Sequence, residues 1–185
     1  MKKMTIFLLC IFLTGCGKNN DAINQGLELR SNLNNGQGCC FDSVVTADYG
    51  DQTYTFAMVC QFDAHGNLLF TVEAPTSIAG ISGTIASSGG ALTFDDVALS
   101  FPLLADEQFS PVSAPWIVIK ALKEGYITSA GWVDNALRLV IDDRYEDDAC
   151  NVHIWMDKIN QPTLAEIYHN DRCILTIEII NFRML

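Results

Sequence analysis

The chain has 185 residues and carries 22 acidic against 11 basic side chains, a formal net charge of −11. Such a surface repels nucleic acid and anionic lipid headgroups, so neither is expected as a partner. Hydrophobic residues make up 49% of the chain, which is enough for one domain with a sizeable core. Beyond residue 13 no apolar stretch approaches the roughly 20 residues that a membrane-spanning helix needs.

Residues 1–16 have the pattern of an export signal. Two lysines precede a short apolar run, which ends in Leu13-Thr14-Gly15-Cys16. This ending resembles a bacterial lipobox, in which the cysteine thiol receives a diacylglycerol and the preceding peptide bond is cut. The resemblance implies a signal peptide at 1–15, lipidation at Cys16, and attachment to the extracytoplasmic face of a bacterial cell membrane. An ordinary secretory signal that contains a cysteine is the alternative.

The segment at 16–38 is predicted to be a flexible tether. Residues 17–38 hold six Asn and four Gly and few large apolar side chains. A short helix around 23–33 is an alternative that the pattern leaves open. Removing residues 1–15, which hold two lysines and no acid, leaves nine basic and 22 acidic residues, a formal charge of −13. The folded domain is expected to span 39–185.

From residue 40 onwards apolar side chains recur with a period of two, which predicts β-strands. Turns at Gly50-Asp51 and at residues 64–67 separate the first three strands. Two further extended stretches, 78–88 and 92–101, are expected around Gly89-Gly90, with Asp95-Asp96 as a bulge or turn. A strand at 127–133 and four more strands near 137–141, 150–156, 163–168 and 174–182 complete the pattern.

Residues 114–124 change to a helical period. Pro115 lies near the start, Lys120 and Lys123 lie in the last turn, and Gly125 follows, which together predict an amphipathic helix. Roughly ten antiparallel strands with one helix indicate a mainly β (α+β) fold. So wide a sheet must curl and its apolar face must be covered. The sequence therefore predicts an unclosed half-barrel with a covering helix.

The order of these elements resembles the LolA-like superfamily of lipoprotein and lipid carriers, including the LppX/LprG type. The most specific part is a closing trio: a W-x-D at Trp155, a P-x-x-A-E strand at Pro162, and a last strand that ends in Asn181-Phe182. The match covers residues 41–182, and the remaining matching segments are residues 70–75, 78–81, 92–95 and the helix at 113–125. The lysine- or arginine-lined mouth of some members is missing, and a self-anchored protein does not shuttle freely.

The resemblance implies a groove for a lipid or another hydrophobic ligand. The side chains expected to line it are Phe56, Met58, Phe70, Trp116, Ile119, Ile154 and Ile177. A packed core is the alternative interpretation of the same residues. The pattern also resembles the GerS-type spore-germination lipoproteins, which bind a cell-wall amidase, so a non-enzymatic scaffold that docks a cell-envelope or spore cell-wall enzyme is the second function considered.

The sequence offers little support for enzyme activity. No nucleophile elbow, phosphate loop or metalloprotease motif is present, and no catalytic residue, metal or cofactor is expected. The three histidines are placed in turns or opposite the apolar faces, away from a cysteine partner. The acidic residues between 142 and 148 have an irregular spacing and include Arg144, which favours a solvated hairpin over a Ca²⁺ loop.

Five cysteines follow Cys16, namely Cys39, Cys40, Cys60, Cys150 and Cys173. The expected register places one strand between Cys150 and Cys173, about twice the 4.8 Å strand spacing, so no bridge between them is predicted. Cys60 is expected to be a buried free thiol. Cys39 and Cys40 are expected to be the most exposed, because they lie where the predicted tether ends.

Overall fold

The structure is a computed structural model and describes residues 17–94, 97–101, 104–105, 108–142 and 150–185. It contains helices α1 (Gly17–Asn35) and α2 (Ala114–Glu124), the latter preceded by a 3-10 turn at Pro111–Ser113. The strands are β1 (Gly38–Asp48), β2 (Thr53–Asp63), β3 (Leu68–Ala74), β4 (Ser82–Ala86), β5 (Gly89–Phe94), β6 (Val97–Phe101), β7 (Leu104–Ala105), β8 (Gln108–Phe109), β9 (Tyr126–Val133), β10 (Ala136–Asp142), β11 (Asn151–Met156), β12 (Pro162–His169) and β13 (Arg172–Met184).

Eleven of these strands form one antiparallel sheet in the order β6-β5-β4-β3-β2-β1-β13-β12-β11-β10-β9, and β7 pairs with β8. Within the described residues the two edge strands, β6 and β9, do not pair with each other, so the sheet is open. The predicted fold class, a mainly β unclosed half-barrel with a covering helix, is confirmed. The sheet places β1 beside β13, which joins the two halves of the chain at its centre.

One face of the sheet, called the inner face below, is a continuous apolar surface. Cross-strand pairs carry it from strand to strand: Cys60 faces Phe70, Val45 faces Ile177, and Leu139 faces Ile154. Six such side chains are almost entirely removed from solvent, each gaining the roughly 1.5–3 kcal/mol that burial of a large apolar side chain contributes. Because strand side chains alternate between faces, the period-two pattern of the sequence produces this surface directly.

Helix α2 lies on the inner face and matches the predicted segment at both ends. It contacts β2, β13, β11 and β10, so it crosses the middle of the sheet. Every residue from Ala114 to Ile119 is buried. A helix that is apolar around most of its circumference requires cover on several sides, and here the curled sheet and α1 provide it.

Helix α1 corrects the prediction of a flexible tether at 16–38. Residues 17–35 are helical, and Ala22, Leu29 and Leu33 are buried against the rest of the molecule. Gly26 lies so close to β10 that a Cβ atom there would stand 2.9 Å from Cδ1 of Leu139. The helix is therefore packed onto the domain through a few apolar residues. Its sequence lacks the broad apolar stripe that usually indicates a packed helix.

The two helices cap each other's C-terminal ends. Arg30 of α1 donates from Nε to the Leu122 carbonyl at 2.7 Å and from Nη2 to the Gly125 carbonyl at 2.7 Å. In return Lys123 of α2 donates from Nζ to the Leu33 carbonyl at 3.1 Å. The last carbonyls of a helix have no partner inside the helix and favour a nearby cation. These contacts make α1 and α2 one unit.

The region around β4 and β5 differs from the expectation in detail. Gly89 and Gly90 lie inside β5 and pair with Ala86 and Ile85 of β4. The turn therefore lies two residues earlier than expected, at residues 87–88. The expected extended stretch at 78–88 begins as a turn and becomes the shorter β4. Asp95-Asp96 and the acidic residues 143–148 lie outside the described residues.

Candidate functional site

The seven predicted groove residues are all buried. Phe56 and Met58 lie on β2, Phe70 on β3, Ile154 on β11 and Ile177 on β13, and all five occupy buried positions of their strands on the inner face. Trp116 and Ile119 lie on α2. All seven belong to the hydrophobic core, with exposed fractions between 0% at Ile119, Ile154 and Ile177 and 7% at Phe56. Their arrangement is that of apolar side chains packed between a sheet and a helix.

One hydrogen bond and two cations connect α2 with the aromatic side chains and the β2–β3 turn at one rim of the sheet. The indole Nε1 of Trp116 donates to the Gly66 carbonyl in the β2–β3 turn at 2.9 Å. The ammonium of Lys120 lies 4.9 Å from the centre of the Trp116 ring, and that of Lys123 lies 5.6 Å from the ring of Phe62. Contacts of this kind contribute about 0.5–1 kcal/mol at exposed sites. They place two positive charges beside an otherwise apolar cluster.

The polar groups within the cluster are thiols and one hydroxyl. Ser43 is buried on β1, where it pairs with Met58 of β2. Its Oγ lies 3.6 Å from Sγ of Cys60. Burial raises the pKa of the Cys60 thiol to about 12. A thiol in this state is not a nucleophile at neutral pH, because the thiolate is the reactive form. The prediction that Cys60 is a buried free thiol is confirmed.

The prediction for Cys39 is wrong. Its side chain is fully buried, and burial raises the pKa of the thiol to about 12, with the neighbouring Cys40 as a lesser cause. Cys39 shares the inner face of β1 with Phe41, and the packed helix α1 replaces the solvent-exposed tether that was expected before it. Cys40 points to the other face and is half-buried.

The register that separates Cys150 from Cys173 is confirmed. Strand β12 lies between β11 and β13, His169 pairs with Arg172, and Tyr168 pairs with both Asn151 and Cys173. Cys150, one residue before Asn151, is therefore a full strand away from β13. The absence of a disulfide between them remains a prediction, and non-reducing peptide mapping of the mature domain checks it.

The face opposite α2, called the outer face below, carries a polar cluster that the sequence pattern did not single out. Arg138 donates from Nη2 to Nδ1 of His153 at 2.9 Å, and its guanidinium lies 5.4 Å from the ring of Trp155. Tyr168 donates its hydroxyl to Glu166 at 2.8 Å, which together with burial raises the pKa of Tyr168 to about 12. The sequence contains an indication of this cluster. Polar residues occupy the positions between the buried ones in β10, β11 and β12, so they share the outer face.

His153 makes this outer cluster sensitive to pH. Burial and then the Arg138 charge lower the pKa of the imidazole from 6.5, while Glu166, 4.0 Å away, opposes them. Because the folded state holds the neutral ring, His153 stabilises the fold above pH 6.5, and this contribution is lost as the pH falls from 6.5 towards the lower folded pKa.

We expect His153→Phe to reduce the loss of stability on acidification. The measurement is the urea midpoint at about pH 7.5 and about pH 5.5, on either side of the ordinary histidine pKa. His65→Phe, in the exposed β2–β3 turn, is the control and is expected to leave the wild-type difference in place. An equal acid-induced loss in wild type and His153→Phe would contradict the assignment.

The clefts among the described residues include two away from α2, the second of which reaches Cys60 and Phe70 of the core. One, of about 680 Å³, is lined by Asp21 and Gln25 of α1 together with Trp132, Asp134, Asn135 and Lys158. The other, of about 390 Å³, opens between β2 and β5 and includes Val59, Leu69 and Thr84. Among the described residues no group of histidine, cysteine and carboxylate side chains is arranged to hold a metal ion. Neither described helix is long and apolar enough to cross a membrane.

Comparison with known proteins gave matches only among solved structures. No family model and no curated protein matches the chain. The chain is similar to a LolA superfamily protein of Nitrosomonas europaea, with 10% identity, a TM-score of 0.46, and coverage of 91% of this chain and 94% of that one. It is also similar to the lipoprotein LppX of Mycobacterium tuberculosis (9% identity, TM-score 0.41, coverage 86% and 91%) and to LprF of Mycobacterium bovis (10%, 0.44, 90% and 95%). The resemblance is one of fold.

Proposed function

We propose that this chain is an extracytoplasmic bacterial lipoprotein, anchored through Cys16, that binds a lipid or another hydrophobic ligand between the inner face of its sheet and helix α2. The observation that supports the ligand is the burial of the seven predicted residues in the apolar core that the inner face of the sheet forms with α2. The Leu13-Thr14-Gly15-Cys16 sequence supports the anchor. The proposal assigns no reaction to the chain, in keeping with the raised thiol pKa values of Cys39 and Cys60.

An acyl chain fits this site chemically. Its walls are aliphatic and aromatic side chains, and the flexible Met58 lies among them, a residue type that adapts to irregular apolar ligands. Ligand entry requires α2 to move away from the sheet, since the side chains between them are already buried. The Arg30 and Lys123 bonds join α1 to α2, whereas α2 is held on the sheet by its buried side chains and by the Trp116 bond to Gly66.

Organic extraction of the purified protein, followed by mass spectrometry, tests the ligand. Lipid that co-purifies in stoichiometric amount, beyond the acyl groups on Cys16, is the expected result. An extract without lipid, combined with no uptake of a fluorescent fatty acid, would contradict the ligand part of the proposal. The anchor is tested separately by the mass of the N-terminal peptide.

Met58→Gln distinguishes a ligand site from an ordinary core. Met58 is 1% exposed and points to the inner face, while its neighbour Val59 is 40% exposed on the outer face. We expect Met58→Gln to lose most fatty-acid uptake, and to cost about 1–3 kcal/mol of stability if its amide remains unpaired. Val59→Gln is the matched control and is expected to change neither. A stability loss in Met58→Gln with no ligand binding in the wild type would favour a packed core.

The outer-face cluster favours a second candidate function, the docking of a cell-envelope or spore cell-wall enzyme. Arg138, Trp155 and Tyr168 are partly exposed, and arginine and large aromatic residues dominate the energetics of protein interfaces. In that case the inner face is only a core. This function would be favoured over ligand binding by two results together. The wild type would carry no lipid but co-purify with an enzyme, and Trp155→Ala would lose that enzyme.

A further inference from the structure

The start of α1 leaves no spacer between the proposed anchor and the folded domain. Cys16 is followed directly by Gly17, the first residue of α1. Helix α1 is packed onto the domain through Gly26 against Leu139 and through the bonds from Arg30 to the end of α2. If Cys16 is acylated, as the proposed function holds, the acyl chains are attached directly before a helix that is packed on the domain. The domain then has a definite side towards the membrane.

That side is the rim around the first turns of α1. The side chains of Asp21 and Gln25 share a cleft with Trp132 at the end of β9 and with Lys158 in the β11–β12 turn. Asn160 of the same turn donates from Nδ2 to the Gln25 carbonyl at 3.0 Å. The β9–β10 and β11–β12 turns are therefore fixed beside the N-terminal half of α1.

Large apolar side chains on this rim are exposed. Ile159, at the tip of the β11–β12 turn, is 72% exposed, and Trp132 is 42% exposed. Asp21, which lines the same cleft as Trp132, is four residues from Gly17, about 6 Å along the helix axis at 1.5 Å per residue. Tryptophan prefers the headgroup level of a bilayer, and a neighbouring lysine such as Lys158 extends its charge to the water side. These residue types suit a membrane surface.

We propose that Trp132, Lys158 and Ile159 form a bilayer-contact surface that holds the domain against the membrane in one orientation. The inference rests on the acylation of Cys16, which supplies the affinity, so the surface only has to orient a domain that is already at high local concentration. Asp21 and Asp134 line the same cleft, and the mature chain carries a formal charge of −13. The matching headgroups are therefore zwitterionic, and anionic lipid does not strengthen the contact.

The test uses the full chain, produced in a bacterium with its own signal and reconstituted into phosphatidylcholine vesicles with or without brominated acyl chains. Bromine quenches only tryptophan at the membrane. The Trp132 emission is obtained by subtracting the emission of Trp132→Phe. We expect brominated lipid to reduce it, because an interfacial tryptophan lies within reach of the acyl chains. The change Ile159→Ser is expected to remove most of this quenching.

The control is Leu69→Ser, which alters an exposed leucine on β3, and it is expected to leave the quenching unchanged. Mass spectrometry of the N-terminal peptide separates the two ways of failing. A peptide without acyl groups overturns the anchor and with it this surface. An acylated protein whose Trp132 emission is the same with and without bromine overturns the surface alone.

Discussion

Cys16→Ala is expected to abolish membrane anchoring altogether. The thiol of Cys16 is the proposed acceptor of the diacylglycerol, and alanine offers no atom for that bond. Two or more acyl chains anchor a protein stably because each buried CH₂ contributes about 0.8 kcal/mol. Without them the surface at Trp132 and Ile159 is too small to hold the protein on vesicles. The variant should keep residues 1–15 attached or be released into the soluble fraction.

Detergent phase partitioning and the intact mass measure this result. Wild type is expected in the detergent phase, with residues 1–15 removed and an acyl mass added. Cys10→Ala is the matched control, because Cys10 lies in the apolar run that leaves with the signal. It should be processed and acylated as the wild type is. Unchanged partitioning and mass in Cys16→Ala would refute the lipobox interpretation.

The strands and α2 were predictable because their information is local. Burial on one face forces a period of two along a strand, and residues such as Phe56, Met58 and Phe62 display it without reference to the rest of the chain. Pro115 at the start and Gly125 after the end of α2 are equally local signals. The order of the last strands was also predictable, because short turns make strands that are consecutive in the chain pair with each other.

Helix α1 was not predictable in the same way. Its sequence is rich in Asn and Gly, and it holds its position through contacts with residues about 90 or more positions away. Glycine at position 26 normally weakens a helix, but here it allows close approach to Leu139. Tertiary contacts thus outweigh a poor local propensity, and the burial of Cys39 follows from the same packing.

The burial of the candidate site residues was predictable, and their role in ligand binding stays a prediction. The alternation places Ile154 and Ile177 on the inner face, where they belong to the same core as Trp116 and Ile119. Periodicity identifies which side chains are buried, but whether they bury against each other or against a ligand depends on the separation of α2 from the sheet. A local pattern in the sequence contains no information on that separation.

Leu139→Ala is expected to cost about 2–5 kcal/mol of stability, the range for a buried leucine truncated to alanine. Leu139 is fully buried between Ala130 and Ile154 of the neighbouring strands, and its methyl groups support α1 at Gly26. The low end applies if α1 settles into the vacated space, and the high end applies if the cavity stays open. In either case the amides of α1 should lose hydrogen-exchange protection before those of the central strands.

Val140→Ala, one residue along β10 on the outer face, is the control for Leu139→Ala and is expected to cost less than about 1 kcal/mol, because its side chain is only half-buried and supports no helix. Urea unfolding gives both free energies. If the two variants are equally stable and the α1 amides exchange freely in the wild type, α1 is not docked on β10. The segment at 16–38 would then be the flexible tether that its composition suggests, and the bilayer-contact surface would have no fixed side to occupy. A large difference between Leu139→Ala and Val140→Ala supports the packed α1 on which a defined membrane orientation depends.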